Sequence, residues 1–466
     1  MHGITLTERP ADWEILQQTD DFASVILKGT YQVHPAAIEV GVEQVQPVVR
    51  VMREDDNTCV IPWTQMEHDT QPNFSGVFSH TLLIPAGGLY RIETSLETKS
   101  TVPELTWLYR GDCVLHLGVG DLFIIAGQSN SSGYSRDYAF DPPDLLVHLF
   151  RNRSCWDLAC HPMNESTDAG SLPNEEMGIP GVSPYLSFGK TFQKLSGRPV
   201  GFIQTSLGGS PLSRWMPTSG DLYQNLIEKI QLTKGKYAGI LWYQGCSDTD
   251  PENTPAYLER FRTLVEAVRR ELGYKIPFFT FQLNRQIGGL HDECWGQIRE
   301  AQRKAARELS EVYILPTVTC SLSDGIHNSA HSNVMLGERM AKLCAHVILG
   351  TPEFSAPELL SIKKESTTSL RLVFSHMSLG FILYSGSGKD SGFFLEDENG
   401  SVPIAELHST RQDKNTLLLI LERPIGKGAK LSFCWEANPT MIPPVDEITY
   451  LPPLSFFQAD IEKFIK

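Results

Sequence analysis

The chain has 466 residues and carries 40 Lys and Arg against 55 Asp and Glu, so its formal net charge is −15. With 41% hydrophobic and 20% charged residues it has a globular composition, which excludes wholesale disorder and a fibrous architecture. At roughly 100–200 residues per domain, the length predicts a few domains. The acidic balance disfavours nucleic acids and anionic membranes as partners, because both repel a negative surface.

The N-terminal residues and the cysteines bear on the compartment. No basic start, apolar run or cleavage site typical of a secretory signal is visible at MHGITLTE. Apolar runs such as Leu122–Ala126 are too short to cross a bilayer, which takes roughly 20 residues. The nine cysteines are odd in number and irregularly spaced, which is typical of reduced thiols. We expect a cytoplasmic protein; a processed secreted form with one or two disulfides is the alternative.

The first hundred residues contain short β-rich segments and almost no helical periodicity. Runs rich in Val, Ile, Thr and Tyr alternate with Gly, Pro, Asp and Asn, which favours a β-sandwich. We therefore predict a β-sandwich-like module over residues 1–111. Its predicted strands are Ala23–Leu27, Ala37–Val40, Pro47–Val51, Thr58–Ile61, His80–Ile84 and Tyr90–Leu96.

From residue 112 apolar strand-like runs alternate with long amphipathic stretches. This alternation predicts an α/β domain over residues 112–352, with a parallel sheet and helices on both faces. In such sheets the ligand crevice lies at the carboxyl ends of the strands. The predicted strands are Leu122–Ala126, Leu145–Phe150, Val200–Thr205, Gly239–Tyr243, Phe278–Gln282 and Val312–Leu315. The predicted helices include Asp221–Thr233, Ala256–Leu272, Gln297–Leu309 and Asn333–Leu349.

After Gly350-Thr351-Pro352 the chain returns to β character. A turn at Asp397-Glu398-Asn399-Gly400 is typical of a hairpin. We predict a second β domain over residues 353–466, with strands at Leu370–Phe374, Phe381–Tyr384, Leu417–Leu421 and Leu431–Trp435.

Three polar constellations fall at the carboxyl ends of predicted strands of the α/β domain. Gly127-Gln128-Ser129-Asn130 and Ser206-Leu207-Gly208-Gly209-Ser210 directly follow their strands, and Asp324-Gly325-Ile326-His327 lies between the last strand and the last helix. Each alone has an ordinary explanation, such as a helix cap for Ser129, a turn for the glycines, or a surface pair for Asp324 and His327. Together they supply a serine, a glycine turn that can offer N–H groups, and an imidazole oriented by a carboxylate. This is the set that acyl transfer needs.

With Trp242-Tyr243-Gln244-Gly245 as a further block, the ordered motifs resemble those of the SGNH/GDSL hydrolases. More closely, they resemble carbohydrate esterases related to sialate O-acetylesterase, over about residues 112–350. Other pieces that fit are Ser213-Arg214-Trp215-Met216, Arg299-Glu300-Ala301-Gln302 and Leu336-Gly337-Glu338-Arg339-Met340. The resemblance implies an SGNH, flavodoxin-like sheet flanked by the two β domains.

The resemblance also implies roles for single residues. Ser129 would be the nucleophile, His327 the general base and then acid, and Asp324 the residue that orients the imidazole. The oxyanion hole would take the Ser129 N–H, an N–H of the Gly208-Gly209 turn and a side chain of the block that begins at Trp242, which is the third block in chain order.

The third block departs from many relatives, which carry Glu after Gln-Gly and Asn two places later. Here the run is Gln244-Gly245-Cys246-Ser247-Asp248. An ionised Asp248 cannot donate a hydrogen bond, so Gln244 is favoured as the donor. Cys246 takes the place of the Glu, and Ser131 takes that of a usual Met.

Further residues are candidates for substrate binding: Gln128, Trp215 and Arg285. Trp215 would stack on a sugar or else lie in the core. Arg285 would bind a substrate carboxylate or else form a surface salt bridge. We predict no cofactor and no metal, because His327 and His331, although spaced as zinc ligands can be, lack a glutamate between them and a third ligand.

The leading hypothesis is a serine O-acetylesterase acting on acetylated carbohydrate, most favourably 9-O-acetyl sialic acid. An esterase for acetylated xylan or mannan is the alternative within the class. A GDSL lipase-type esterase is disfavoured by the absence of an apolar lid. A non-catalytic carbohydrate-binding protein is the alternative of another class. A homo-oligomer is left open.

Overall fold

The computed structural model describes residues 2–101, 108–167, 169–170, 172–410 and 412–464. It has a mixed α/β fold with one large sheet and several smaller ones. Among the described residues no helix is both long and apolar enough to span a membrane.

The N-terminal region is built from long antiparallel strands that share one apolar core. In β3 every second residue is buried, so the strand presents one face to the core and one to solvent. The elements are β1 Gly3–Glu8, β2 Ile15–Gln17, β3 Phe22–Gln32, α1 Pro35–Glu39, β4 Val42–Arg53, β5 Cys59–Gln65, β6 Glu67–His68, β7 Ser75–Pro85, β8 Gly87–Ser100 and β9 Leu108–Gly127.

One prediction in this region is wrong. The predicted strand Ala37–Val40 lies largely in the short helix α1. The ring of His34 accepts a hydrogen bond from the Ala36 N–H at 3.1 Å, and Pro35 occupies the first turn. A side-chain cap followed by proline favours a helix start, which outweighs the β preference of Ile38 and Val40.

Strand β9 joins this region to the central one. Its first part pairs antiparallel with β8, and its last part, from Asp121 on, lies parallel between two central strands. The large sheet therefore has eleven strands and is mixed, whereas the sequence predicts a parallel sheet flanked by a separate β module. The predicted boundary at residue 112 lies inside β9.

The central strands follow the order β11-β10-β12-β9-β13-β14-β15, all parallel except the edge strand β11. Helices α3 and α7 pack on one face, and α4, α5 and α6 pack on the other. The elements are α2 Ser129–Ser132, β10 Val147–Phe150, β11 Trp156–Leu158, α3 Tyr185–Ser196, β12 Val200–Gln204, α4 Asp221–Thr233, β13 Gly239–Tyr243, α5 Tyr257–Leu272, β14 Phe278–Phe281, α6 Asp292–Glu308, β15 Val312–Leu315 and α7 Ala330–Leu349.

The C-terminal region contains two four-stranded antiparallel sheets and a two-stranded one around a further core. It docks on the central region through Gln282, whose amide exchanges hydrogen bonds with the Ser455 backbone at 2.8 and 2.9 Å. The elements are β16 Glu358–Ser366, β17 Ser369–Ser375, β18 Phe381–Ile382, β19 Phe393–Asp397, β20 Gly400–Ser401, β21 Ile404–Thr410, β22 Asp413–Leu421, β23 Lys430–Phe433, β24 Val445–Asp446, β25 Phe456–Asp460 and α8 Ile461–Phe464.

Candidate active site

Ser129 stands at the exit of β9. The strand ends at Gly127 with φ +125°, a conformation that favours glycine, and a Cβ there would lie 2.3 Å from the Tyr243 carbonyl oxygen. Ser129 is the first residue of α2 and is 7% exposed. Gln128 occupies the N-cap position of that turn, so Ser129 is not the cap residue. Its hydroxyl is thus placed at the carboxyl edge of the sheet.

Asp324 and His327 form a hydrogen-bonded pair at the same edge. Asp324 Oδ2 lies 2.7 Å from His327 Nδ1, while Oδ1 accepts the N–H groups of Ile326 at 2.9 Å and His327 at 2.7 Å. Burial acts to raise the pKa of Asp324, but these hydrogen bonds hold it below its usual value. A carboxylate on Nδ1 leaves Nε2 available as a base.

Asn130 links the serine turn to this pair. Its Oδ1 accepts the Asn328 N–H at 3.0 Å, and its Nδ2 donates to the Ile326 carbonyl at 3.4 Å. The two contacts bracket His327 in the chain. The ring of Tyr134, just beyond α2, has its centroid 5.3 Å from that of His327. The structure therefore brings the turn that carries Ser129 next to the segment that carries His327, from positions about 200 residues apart.

Gln128 holds the third block in place. Its Oε1 accepts the N–H groups of Gly245 at 2.9 Å and Ser247 at 3.2 Å, and its Nε2 donates to the Ser247 hydroxyl at 3.2 Å. The side chain is 3% exposed. In this arrangement Gln128 positions a loop and is not directed at a substrate, contrary to the sequence prediction.

The N–H of Gly208 is occupied by a carboxylate. It donates to Glu176 Oε1 at 2.9 Å and Oε2 at 3.1 Å. Glu176 is 3% exposed and also accepts from the Tyr134 hydroxyl and Asn164 Nδ2, each at 2.7 Å. The predicted use of the Gly208 N–H in an oxyanion hole is therefore not met here. Gly209, the other glycine of the turn, has φ +67° and open space where a Cβ would stand.

Gln244 is fully buried, which contradicts its predicted role as a donor to the oxyanion. Its Nε2 donates to the Ser210 carbonyl at 3.2 Å and to the carboxylate of Asp248. An amide has two N–H donors, so both are used. Asp248 also accepts the Leu212 N–H, and burial raises its pKa. Gln244 and Asp248 thus hold the segment that follows the Gly208-Gly209 turn, through the Ser210 carbonyl and the Leu212 N–H.

Cys246 lies beside a buried cation. Burial raises the pKa of its thiol to about 12, so the thiol is neutral, and its Sγ is 3.6 Å from Asn284 Oδ1. Arg299 is fully buried, donates to backbone carbonyls and has its pKa lowered by burial to about 10. The carbonyls belong to Leu283, Asn284, Cys434, Trp435 and Glu436. The buried guanidinium is therefore satisfied by carbonyl oxygens.

Trp215 and Arg285 are not directed at the crevice. Trp215 is fully buried, donates to the Ser210 hydroxyl at 3.4 Å and packs edge-to-face on Trp242, so the predicted sugar stacking is wrong and the core interpretation holds. Arg285 donates to Asn438 Oδ1 at 3.1 Å and the Cys320 carbonyl at 3.0 Å. It braces the loop after β15 against the C-terminal region.

Glu176 and Arg136 are site residues that the sequence analysis missed. Both lie in irregular segments, where no periodicity or motif marks them. Arg136 is half exposed, its Nε lies 3.8 Å from Asp324 Oδ2, and its guanidinium lies 5.1 Å from the centre of the Tyr134 ring. It places a cation at the mouth of the crevice. Among the described residues no cluster of three or more His, Cys, Asp or Glu side chains suits a metal ion.

Comparisons with known proteins bear on the family and the fold of this chain. Residues 119–346 match the family described as carbohydrate esterase, sialic acid-specific acetylesterase, which confirms the resemblance found in the sequence. A carbohydrate acetylesterase from Xanthomonas citri has a similar fold, with a TM-score of 0.65 at 20% identity over 98% of this chain and 99% of that one. A protein from Arabidopsis thaliana aligns over 49% of this chain and 98% of its own, with a TM-score of 0.43 and 22% identity. No curated protein matches the sequence.

Proposed function

Because residues 119–346 match the carbohydrate esterase family of sialic acid-specific acetylesterases, we propose that this protein is a serine O-acetylesterase for acetylated carbohydrates. The observation that carries the proposal is the Asp324–His327 pair, joined through Asn130 to the turn that presents Ser129. A carboxylate, an imidazole and a serine at the carboxyl edge of one sheet suit a two-step acyl transfer.

In the first step His327 Nε2 would take the hydroxyl proton of Ser129, whose Oγ attacks the acetyl carbonyl carbon. The Ser129 and Gly209 N–H groups would stabilise the oxyanion. The protonated imidazole would then give its proton to the departing sugar oxygen, leaving acetyl on Ser129. In the second step water, deprotonated by His327, would release acetate and restore the serine.

We expect burst release of p-nitrophenol from p-nitrophenyl acetate, and a loss of about 10³-fold or more in kcat for Ser129→Ala, because the nucleophile is removed. Ser213→Ala, at an exposed serine outside the crevice, is the matched control and should keep full activity. Full activity in Ser129→Ala would refute the proposal. Glycan binding without turnover of any acetyl ester would favour the carbohydrate-binding alternative.

Within the class we propose 9-O-acetyl sialic acid as the substrate. The family description supports an acidic sugar, and Arg136 supplies a cation next to Asp324 that a substrate carboxylate could reach. The alternative is an acetylated xylan or mannan. Acetate release from 9-O-acetyl-N-acetylneuraminic acid, compared with acetylated xylo- and manno-oligosaccharides, separates the two; a higher kcat/KM on the neutral oligosaccharides would refute the sialate proposal.

A further inference from the structure

A second cavity lies at the same edge of the sheet, away from Ser129. It is an open cavity with a volume of about 460 Å³, bordered by the loop after β15, by α7 and by the C-terminal region. Arg285 and Arg339 line it, together with apolar and aromatic side chains. No Asp or Glu is among its described lining residues. The cavity therefore combines two cations with no acidic group.

Both arginines have unused hydrogen-bonding capacity. Arg285 donates to Asn438 and to the Cys320 carbonyl, and Arg339 donates to the Tyr450 carbonyl at 3.1 Å. In the described part of the chain neither forms an ion pair, and Arg285 Nε and Arg339 Nη1 are buried with no hydrogen-bond partner. Buried donors are rarely left without an acceptor, so two such donors on the arginines that line one cavity need an explanation.

An anion would supply the missing acceptors. Burying a cation without a counter-charge is unfavourable, and burial lowers the pKa of Arg339. A carboxylate has two oxygens that match the planar fork of a guanidinium, and small changes of side-chain torsion would turn the free donors toward it. The chemistry of the two arginines thus favours a carboxylate over a neutral ligand.

The rest of the lining suits a ring-shaped ligand with one polar end. Tyr384 and Tyr450 are 63% and 54% exposed, and Val318 and Met335 add apolar surface. Exposed tyrosines combine an apolar face with a hydroxyl, as sites for amphipathic ligands require. We propose that this cavity binds a carboxylate-bearing sugar, with Arg285 and Arg339 on the carboxylate. The choice of a sugar rests on the proposed function, whereas the choice of a carboxylate rests on the arginines.

Calorimetric titration of the full chain with free N-acetylneuraminic acid and with its methyl ester tests the site. The acid should bind and the uncharged ester should bind at least about tenfold more weakly. Arg339→Gln should weaken binding of the acid by about tenfold or more while p-nitrophenyl acetate hydrolysis stays unchanged. Lys342→Gln, which removes the same charge from an exposed position one turn further along α7, is the matched control and should bind like the unaltered chain.

Equal binding of acid and ester would overturn the proposal, as would undiminished binding in Arg339→Gln. Binding that is lost in Arg136→Gln but kept in Arg339→Gln would place the carboxylate in the catalytic crevice and would also overturn it. Arg339→Lys keeps the charge without the planar fork, so its affinity for the acid should lie between that of the unaltered chain and that of Arg339→Gln. Thermal unfolding of Arg339→Gln and Arg339→Lys checks that both variants fold. Loss of esterase activity in Ser129→Ala has no bearing on this binding, so the two proposals fail separately.

Discussion

At the scale of single residues, the carboxylate of Glu176 is a structural support for the reaction centre. It holds the Gly208 N–H, the Tyr134 hydroxyl and Asn164 at once, and so joins the glycine turn to the ring beside His327. A carboxylate accepts on both oxygens, whereas an amide offers one acceptor and two N–H donors. The charge and the acceptor pattern both matter at this position.

Glu176→Gln should therefore disturb the Gly208-Gly209 turn. We expect kcat on p-nitrophenyl acetate to fall by about tenfold or more with little change in KM, because an oxyanion donor acts mainly in the transition state. Glu175→Gln, at the neighbouring half-buried glutamate, is the control. Equal effects of the two substitutions would contradict a positioning role for Glu176.

We expect Asp324 to make both activity and stability depend on pH. Because its pKa is lowered in the folded protein, its carboxylate stabilises the fold above the ordinary value of 3.8, and this contribution disappears as the pH falls through the lower folded value. Asp324→Asn should lower the free energy of unfolding by about 1 kcal/mol at pH 7. Urea denaturation at several pH values should show the difference shrinking in acid below about pH 4.

The same substitution should lower kcat by about 10³-fold or more, because an amide donor facing Nδ1 favours the tautomer with the proton on Nε2. A difference in unfolding free energy that is independent of pH, or an unchanged kcat, would contradict this account of the pair.

At the scale of elements, the exit of β9 depends on Gly127. Alanine there would combine a left-handed backbone with a Cβ 2.3 Å from the Tyr243 carbonyl oxygen. We expect Gly127→Ala to destabilise the fold by about 2 kcal/mol or more and to abolish esterase activity. Gly273→Ala, at a helix end with φ +75° and no atom within 4 Å of the new Cβ, should cost only about 1 kcal/mol. Similar unfolding midpoints for the two would contradict the close approach.

The sequence predicted elements where one physical pattern dominates. The predicted bounds of Asp221–Thr233 agree with α4, since its apolar stripe and flanking glycine are unambiguous. Helix α3 was missed because Tyr185, Phe188 and Gly189 face the sheet and few charged residues mark its outer side. The strand ends carrying Ser129, Asp324 and His327 were predictable from turn chemistry. The burial and the hydrogen-bond partners of Gln244, Trp215 and Arg285 were not predictable, because they depend on segments that are distant in the sequence.

At the scale of the whole molecule, β9 contributes to three apolar cores. Val114, Leu117 and Val119 lie in the N-terminal core, and Leu122 to Ala126 lie in the two central ones. A fragment starting at residue 112 would lose part of the strand and its antiparallel partner β8. We expect residues 112–466 to be insoluble or to unfold at markedly lower temperature than the full chain. Differential scanning calorimetry measures the unfolding temperature of both. A fragment as stable as the full chain would contradict the conclusion that the N-terminal and central regions depend on the same strand.

The alternation of side chains along β9 limits which insertions and deletions the strand can tolerate. Side chains along a strand alternate between its two faces, so inserting or deleting one residue turns every side chain on one side of the change to the opposite face. In the regular part of β9, from Leu117 to Gly127, such a change would either turn Leu117 and Val119 out of the N-terminal core or displace the turn at Gly127, and with it Ser129. Surface connections elsewhere can lengthen without this penalty. The number of residues between Leu117 and the turn that carries Ser129 is therefore fixed by the alternation of side chains in the last part of β9.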